Sequence, residues 1–265
     1  LIKLKDRFDI AFACDTDHDR HGIVTRKAGL LTPNHYLSVA LFFLFQHRPN
    51  WPKAKNVGKT VVTTQMIDRL TAKFSQGLFE VPVGFKWYVD GLLTGMLQFC
   101  GEASAGAAFS RLDGTVWTSD KDGIIPGFLA AEISAKLGRD LGDIYHDFEN
   151  EFGAVFSAHH NTKANAEQKE ILKKLSASEV KLADLAGDKI EHILTKAPGN
   201  DAPIDGLKVM SKNGWFVARP SGTEEMYEVY AESFQSEDHL NRLLEEAETI
   251  VNHALGASTE QIKQV

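Results

Sequence analysis

Three stretches of the chain carry side chains whose types and spacing could do chemistry. Asp15-Thr16-Asp17-His18-Asp19-Arg20-His21-Gly22 sets three carboxylates at alternate positions, directly before an arginine. Bunched carboxylates repel one another unless a cation sits among them, and hard oxygen donors suit Mg²⁺ or Ca²⁺. Gly101-Glu102-Ala103-Ser104-Ala105-Gly106 holds a carboxylate two residues from a hydroxyl between glycines. That pair can meet the vicinal hydroxyls of a sugar, and the same residues make a plain turn. Arg219-Pro220-Ser221-Gly222-Thr223-Glu224 joins a guanidinium, two hydroxyls and a glycine that frees backbone amides, the donor set of a phosphate monoester site.

Each stretch needs elements to present it. Residues 10–14 are short, apolar and nearly continuous, as expected of a strand buried on both faces, so Asp15 emerges at the strand's carboxyl end; Ile23 and Val24 then resume an apolar run. Pro33 and Asn34 open a buried helix through the apolar window Tyr36 to Phe45. Residues 47–56 read as a polar connection, 59–64 as a strand, Met66, Ile67, Leu70 and Phe74 as a helix, and 78–83 as another strand, with a helix from Tyr88 to Met96 after the turn Gly84-Phe85-Lys86-Trp87. This alternation implies an α/β domain with helices against a largely parallel sheet. Asp120-Lys121-Asp122-Gly123 precedes a helix marked by Phe128, Leu129, Ile133 and Leu137. Residues 148–165 are polar and small and read as an interdomain connection, Ser157-Ala158-His159-His160-Asn161 included. Beyond it, residues 166–265 suggest a smaller α+β domain: a helix over Ile171, Leu172 and Leu175, strands at 206–210, 215–218 and 226–233 with the hairpin signal Lys212-Asn213-Gly214, and an amphipathic helix from Leu240 to Ala254.

Composition bounds the partners. A chain of 265 residues suffices for two domains with real cores, and 43% hydrophobic with 25% charged residues is the composition of an ordinary globular protein and does not indicate disorder. A net charge of −7 argues against nucleic acid or an anionic membrane as partner, so any phosphate site must be a local basic pocket. Cys14 and Cys100 are too few for a disulfide framework and fit a reducing cytoplasm. The opening Leu1-Ile2-Lys3-Leu4-Lys5 reads as the tail of a helix already under way, hence as part of a longer protein.

Known loops can be tested against the spacing. An EF-hand needs Gly and Glu at its sixth and twelfth positions, and Arg20 and Arg26 stand there. A haloacid-dehalogenase-type phosphatase also begins with a strand and D-x-D, but typically continues with Thr or Val where this chain has Asp19. The Arg219 loop lacks Walker spacing, so nucleotide is not implied. D-T-D-H-D-R-H-G resembles the metal loop of the α-D-phosphohexomutases, its R-H-G ending their bacterial phosphoglucomutase branch, although Thr16 and His18 replace a usual proline and aromatic. G-E-A-S is similar to that family's sugar loop, with Ala103 for a frequent Glu, and R-P-S-G-T-E to its phosphate-binding loop.

The resemblance covers essentially the whole chain yet matches only the later part of a four-domain mutase. It implies the end of the metal-bearing domain at 1–30, a sugar-binding α/β domain at 31–155, and an α+β phosphate-binding domain with its linker at 156–265. It implies Mg²⁺ on Asp15, Asp17 and Asp19; Arg20 and Lys121 in catalysis; Gly84, Lys86, Glu102 and Ser104 at the substrate; and Arg219, Ser221, Gly222 and Thr223 on the phosphate that is not reacting. The implied reaction interconverts glucose 1-phosphate and glucose 6-phosphate through glucose 1,6-bisphosphate, using a phosphoserine that the upstream mutase domains supply. These 265 residues contain no such loop: Ser157-Ala158-His159-His160-Asn161 imitates T-A-S-H-N-P only faintly, so this chain alone is expected to be inactive. The alternatives are a phosphosugar-binding module without catalysis, or a mutase for mannose or glucosamine phosphate.

Overall fold

The computed structural model describes residues 1–256. Two compact units, Leu1–Phe152 and Gly153–Val265, divide the chain. No helix among the described residues is long and apolar enough to cross a membrane.

The first unit opens with a 3-10 turn, Ile2–Arg7, rather than the expected end of an α-helix. Then come β1 (Ile10–Cys14), β2 (His21–Thr25) and β3 (Gly29–Leu30), an antiparallel sheet in that order. Pairing of Cys14 with His21 closes the acidic loop between them. Helix α1 (Pro33–His47) starts where its sequence says: Thr32 Oγ1 accepts the His35 amide at 3.3 Å and Pro33 fills the first turn, where a missing N–H costs nothing. β4 (Asn56–Thr60), α2 (Met66–Lys73), β5 (Gly77–Val81), α3 (Val89–Leu93), β6 (Phe99–Gly101) and β7 (Ala107–Phe109) follow, a second 3-10 turn at Phe85–Tyr88 preceding α3. Their sheet runs β5-β4-β6-β7, parallel except for β7. Helices α4 (Ile124–Leu137) and α5 (Leu141–Phe152) complete the unit, α4 lying against β1 and α5 against α1.

Two expectations for this unit are corrected. β1 is half-exposed instead of buried on both faces, because it is an edge strand paired only with β2. β4 ends at Thr60 instead of Thr64: the Thr63 amide donates to the Thr60 carbonyl and the two hydroxyls stand 2.8 Å apart, so side-chain bonding turns the chain where β-branching alone suggests a strand.

Gly127 lets α4 approach β1. A Cβ there would lie 2.2 Å from the Phe12 ring, which also packs 5.7 Å from Phe128. Gly127→Ala gains roughly 1 kcal/mol of helix propensity but must displace an aromatic ring at a cost of about 1–3 kcal/mol. The expected result is a lower midpoint in chemical denaturation; a raised midpoint would contradict this packing.

The second unit contains β8 (Phe156–Lys163), α6 (Ala166–Lys173), β9 (Asp184–Leu185), β10 (Asp188–Lys196), β11 (Pro203–Ser211), β12 (Gly214–Pro220), β13 (Met226–Ser233) and α7 (Glu237–Ala254). Its sheet is antiparallel throughout, in the order β8-β13-β12-β11-β10-β9. Leu207, Val209, Phe216, Ala218 and Val229 form one face, closed by Leu172 of α6 and Leu243, Ala247 and Ile250 of α7. The hairpin signal is correct: Ser211 pairs with Gly214 across Lys212-Asn213. The connection expected at 148–165 is corrected, since α5 runs through Phe152 and residues 156–163 are an edge strand paired along β13. Backbone pairing supports such a strand without an apolar sequence, and most of its side chains face solvent.

Candidate functional site

The acidic loop is folded around Asp15. Its Oδ1 accepts the amides of Asp19 and Arg20, each at 3.3 Å, and the His18 amide donates to its carbonyl at 3.2 Å. His18 takes the left-handed conformation with φ 59°, and its carbonyl accepts the Gly123 amide at 2.8 Å, tying the loop to the start of α4. The result brings ligand oxygens of Asp15, Asp17 and Asp19 within 4.8 Å of one another. Asp19 Oδ1 is buried with no hydrogen-bond partner. Three converging carboxylates with an orphaned oxygen fit a hard divalent cation such as Mg²⁺, which takes oxygen ligands in an octahedral shell and completes that shell with waters.

Cationic side chains frame this cluster. Arg20 Nε stands 3.7 Å from Asp15 and 3.9 Å from Asp19. Lys121 Nζ meets the other Asp19 oxygen at 2.9 Å, and that bond holds the Asp19 carboxyl below the usual carboxylate range. The stem of Lys121 passes Gly106, where a Cβ would lie 2.7 Å from Lys121 Cδ and 3.2 Å from Glu102 Oε2. Any side chain at Gly106 would therefore obstruct both groups.

The Glu102 loop joins the acidic loop through backbone. The His21 amide donates to the Ala105 carbonyl at 3.2 Å, and Arg20 forms a bridge with Gly106. Glu102 is only 5% exposed; burial pushes its carboxyl up, against the pull of the nearby Lys121 charge. Its Oε1 accepts the Gly84 amide at 3.1 Å, and Ser104 Oγ stands 3.5 Å from Oε2. The structure thus brings Asp15, Asp17, Asp19, Arg20, Lys121, Glu102, Ser104 and Gly84 into one neighbourhood. Lys86 is exposed, with Nζ 5.0 Å above the Trp87 ring.

The Arg219 loop is built at the β12–β13 turn. The Ser221 amide donates to the Met226 carbonyl at 2.9 Å, while Ser221 Oγ takes the Glu224 amide at 3.4 Å. Gly222 and Thr223 are exposed at its tip. Arg219 Nη1 donates to Glu228 Oε2 at 2.7 Å. Sequence reasoning does not reach Glu228, and it includes Gly106 only as a flanking glycine of the Glu102 loop. Glu228 becomes visible only once β12 and β13 are paired across the turn, since that register sets Arg219 opposite Glu228.

Comparison with known proteins accounts for both units. Residues 32–152 match the model of the phosphoglucomutase/phosphomannomutase alpha/beta/alpha domain III, and residues 162–250 that of the phosphoglucomutase/phosphomannomutase C-terminal domain. The chain belongs to the phosphoglucomutase/phosphomannomutase family. Within the family it is 54% identical to the phosphoglucomutase of Komagataeibacter xylinus over 98% of this chain and 47% of that protein, so it spans about half the length of this curated relative. A family member of known structure from Burkholderia thailandensis superposes with a TM-score of 0.72 at 23% identity, covering 97% of this chain and 49% of that one. N-acetylphosphoglucosamine mutase of Aspergillus fumigatus, solved in complex with GlcNAc-6P and magnesium, shares the fold at a TM-score of 0.58 and 16% identity, over 93% of this chain and 52% of its own. The two matched domains correspond to the third and the C-terminal domains of the phosphoglucomutase/phosphomannomutase family.

Proposed function

We propose that the chain supplies the metal, sugar and phosphate loops of a phosphoglucomutase that interconverts glucose 1-phosphate and glucose 6-phosphate through glucose 1,6-bisphosphate, in a cytoplasmic setting that two free cysteines fit. One observation carries this reading: Lys121 bonds Asp19 of the acidic loop while its stem runs beside Glu102 of the sugar loop. A cation-binding group and a hydroxyl-binding group so close together suit a phosphosugar, which needs both. The resemblance to N-acetylphosphoglucosamine mutase, solved with magnesium, supports Mg²⁺ as the ion.

In this reading Asp15, Asp17 and Asp19 hold Mg²⁺, which neutralises charge that develops as a phosphoryl group moves between serine and sugar. Arg20 and Lys121 add positive charge at the reacting end. Glu102 and Ser104 hold ring hydroxyls, with the Gly84 amide fixing the carboxylate and the exposed Lys86 meeting the substrate. Arg219, Ser221, Gly222 and Thr223 hold the distal phosphate. The phosphoryl donor comes from upstream mutase domains of the complete enzyme.

Glu102→Gln is expected to weaken glucose 1-phosphate binding by about three- to tenfold, the loss of one charged acceptor, while leaving inorganic phosphate unchanged. Calorimetric titration with each ligand tests the assignment, and mannose 1-phosphate and glucosamine 1-phosphate as further titrants read the sugar preference. Equal loss for phosphate and phosphosugar would overturn the sugar-loop role.

A further inference from the structure

The Arg219 guanidinium is held from a neighbouring strand. β12 and β13 pair with Arg219 opposite Glu228, so both side chains rise from the same face of the sheet. Glu228 Oε2 takes Nη1 at 2.7 Å, while Arg219 Nε is buried without a hydrogen-bond partner. The other Glu228 oxygen stands 3.7 Å from His159 Nε2, and the His159 ring stacks 4.0 Å from Tyr230 at 10°. Glu228 thus sits among groups from three strands, β8, β12 and β13. This gives a place to the Ser157-Ala158-His159-His160-Asn161 stretch that the proposed reaction leaves without a role.

A guanidinium binds an anion best through two parallel N–H bonds from one edge, and its long stem must otherwise be ordered when the ligand arrives. Pinning Nη1 on the sheet fixes the plane of the group, so that less of its freedom is lost when a ligand arrives. We infer that Glu228 is a positioning residue for the phosphate loop, holding the Arg219 guanidinium in one orientation for the distal phosphate. The inference rests on the phosphate-binding reading of residues 219–224. A carboxylate this close to a phosphate site also has an opposite possible effect, that of a resident anion competing for Arg219, and the two effects differ in sign.

The test is calorimetric titration of the whole chain with inorganic phosphate at fixed salt. Glu228→Ala should weaken binding about tenfold, the cost of ordering the freed arginine, whereas Glu228→Gln keeps a hydrogen-bond acceptor and should stay within about threefold of the parent. In an Arg219→Ala background, Glu228→Ala should cause no further loss, because its effect runs through Arg219. Glu228→Met, of similar volume, replaces the alanine variant should that fail to fold. Tighter binding in Glu228→Gln and Glu228→Ala would mark a competing anion and overturn the inference, as would an undiminished Glu228→Ala loss in the Arg219→Ala background. Phosphate binding unaffected by Arg219→Ala would instead overturn the phosphate-loop reading, and this inference with it.

Discussion

Arg219→Ala is expected to weaken glucose 1-phosphate binding by roughly ten- to a hundredfold. Charge-assisted hydrogen bonds from a guanidinium contribute about 1.5–3 kcal/mol, and each 1.4 kcal/mol or so is tenfold in affinity. The loop should keep its shape without this side chain, because the Ser221 amide bonds the Met226 carbonyl and the Glu224 amide bonds Ser221 Oγ. Calorimetry at fixed ionic strength checks the result, and a loss of less than threefold would remove Arg219 from the phosphate clamp.

Asp17→Asn is expected to reduce Mg²⁺ affinity at least tenfold. Neutralising one of three converging carboxylates replaces an anionic ligand oxygen by a weaker neutral amide oxygen and removes a third of the cluster's negative charge. Asp17 is the informative choice. Asp15 organises the loop through the amides of Asp19 and Arg20, and Asp19 anchors Lys121, so changing either would also disturb the scaffold. Asp17 is exposed, and its replacement should leave the denaturation midpoint within about 0.5 kcal/mol of the parent's stability. Titration heats identical to the parent's would refute the metal assignment.

Candidates for this site can be named before folding because their chemistry is local. Three aspartates at alternate positions and an Arg with two hydroxyls around a glycine suggest a ligand type from adjacent residues, whereas a Glu and a Ser two apart between glycines read equally as a plain turn. The supporting contacts are not local. Lys121 reaches Asp19 across more than a hundred residues, and nothing near Lys121 marks it as other than a solvated lysine before a helix. Glu228 faces Arg219 only through strand register.

The fold divides along the same line. α1 follows from an apolar window opened by Pro33 and Asn34, α2 and α7 from apolar periodicity, and the β11–β12 hairpin from Lys212-Asn213-Gly214. β8 escapes because an edge strand exposes most of its side chains and is specified by its neighbour's backbone. β10 escapes because register shifts between Ile190 and His192 and between Leu194 and Lys196 break its alternation. β4 stops early because threonine hydroxyls serve a turn as readily as threonine branching serves a strand.

The central claim is that these residues bind a phosphosugar and its metal but carry no phosphoryl donor. The most direct measurement pairs calorimetric binding of glucose 1-phosphate in Mg²⁺ with a coupled assay for glucose 6-phosphate, both on the purified chain of verified mass. Saturable binding that Arg219→Ala weakens, with no turnover, is the expected result. Turnover that survives purification would mean that a serine within these residues carries the phosphoryl group, and absence of binding would contradict the phosphosugar-binding reading.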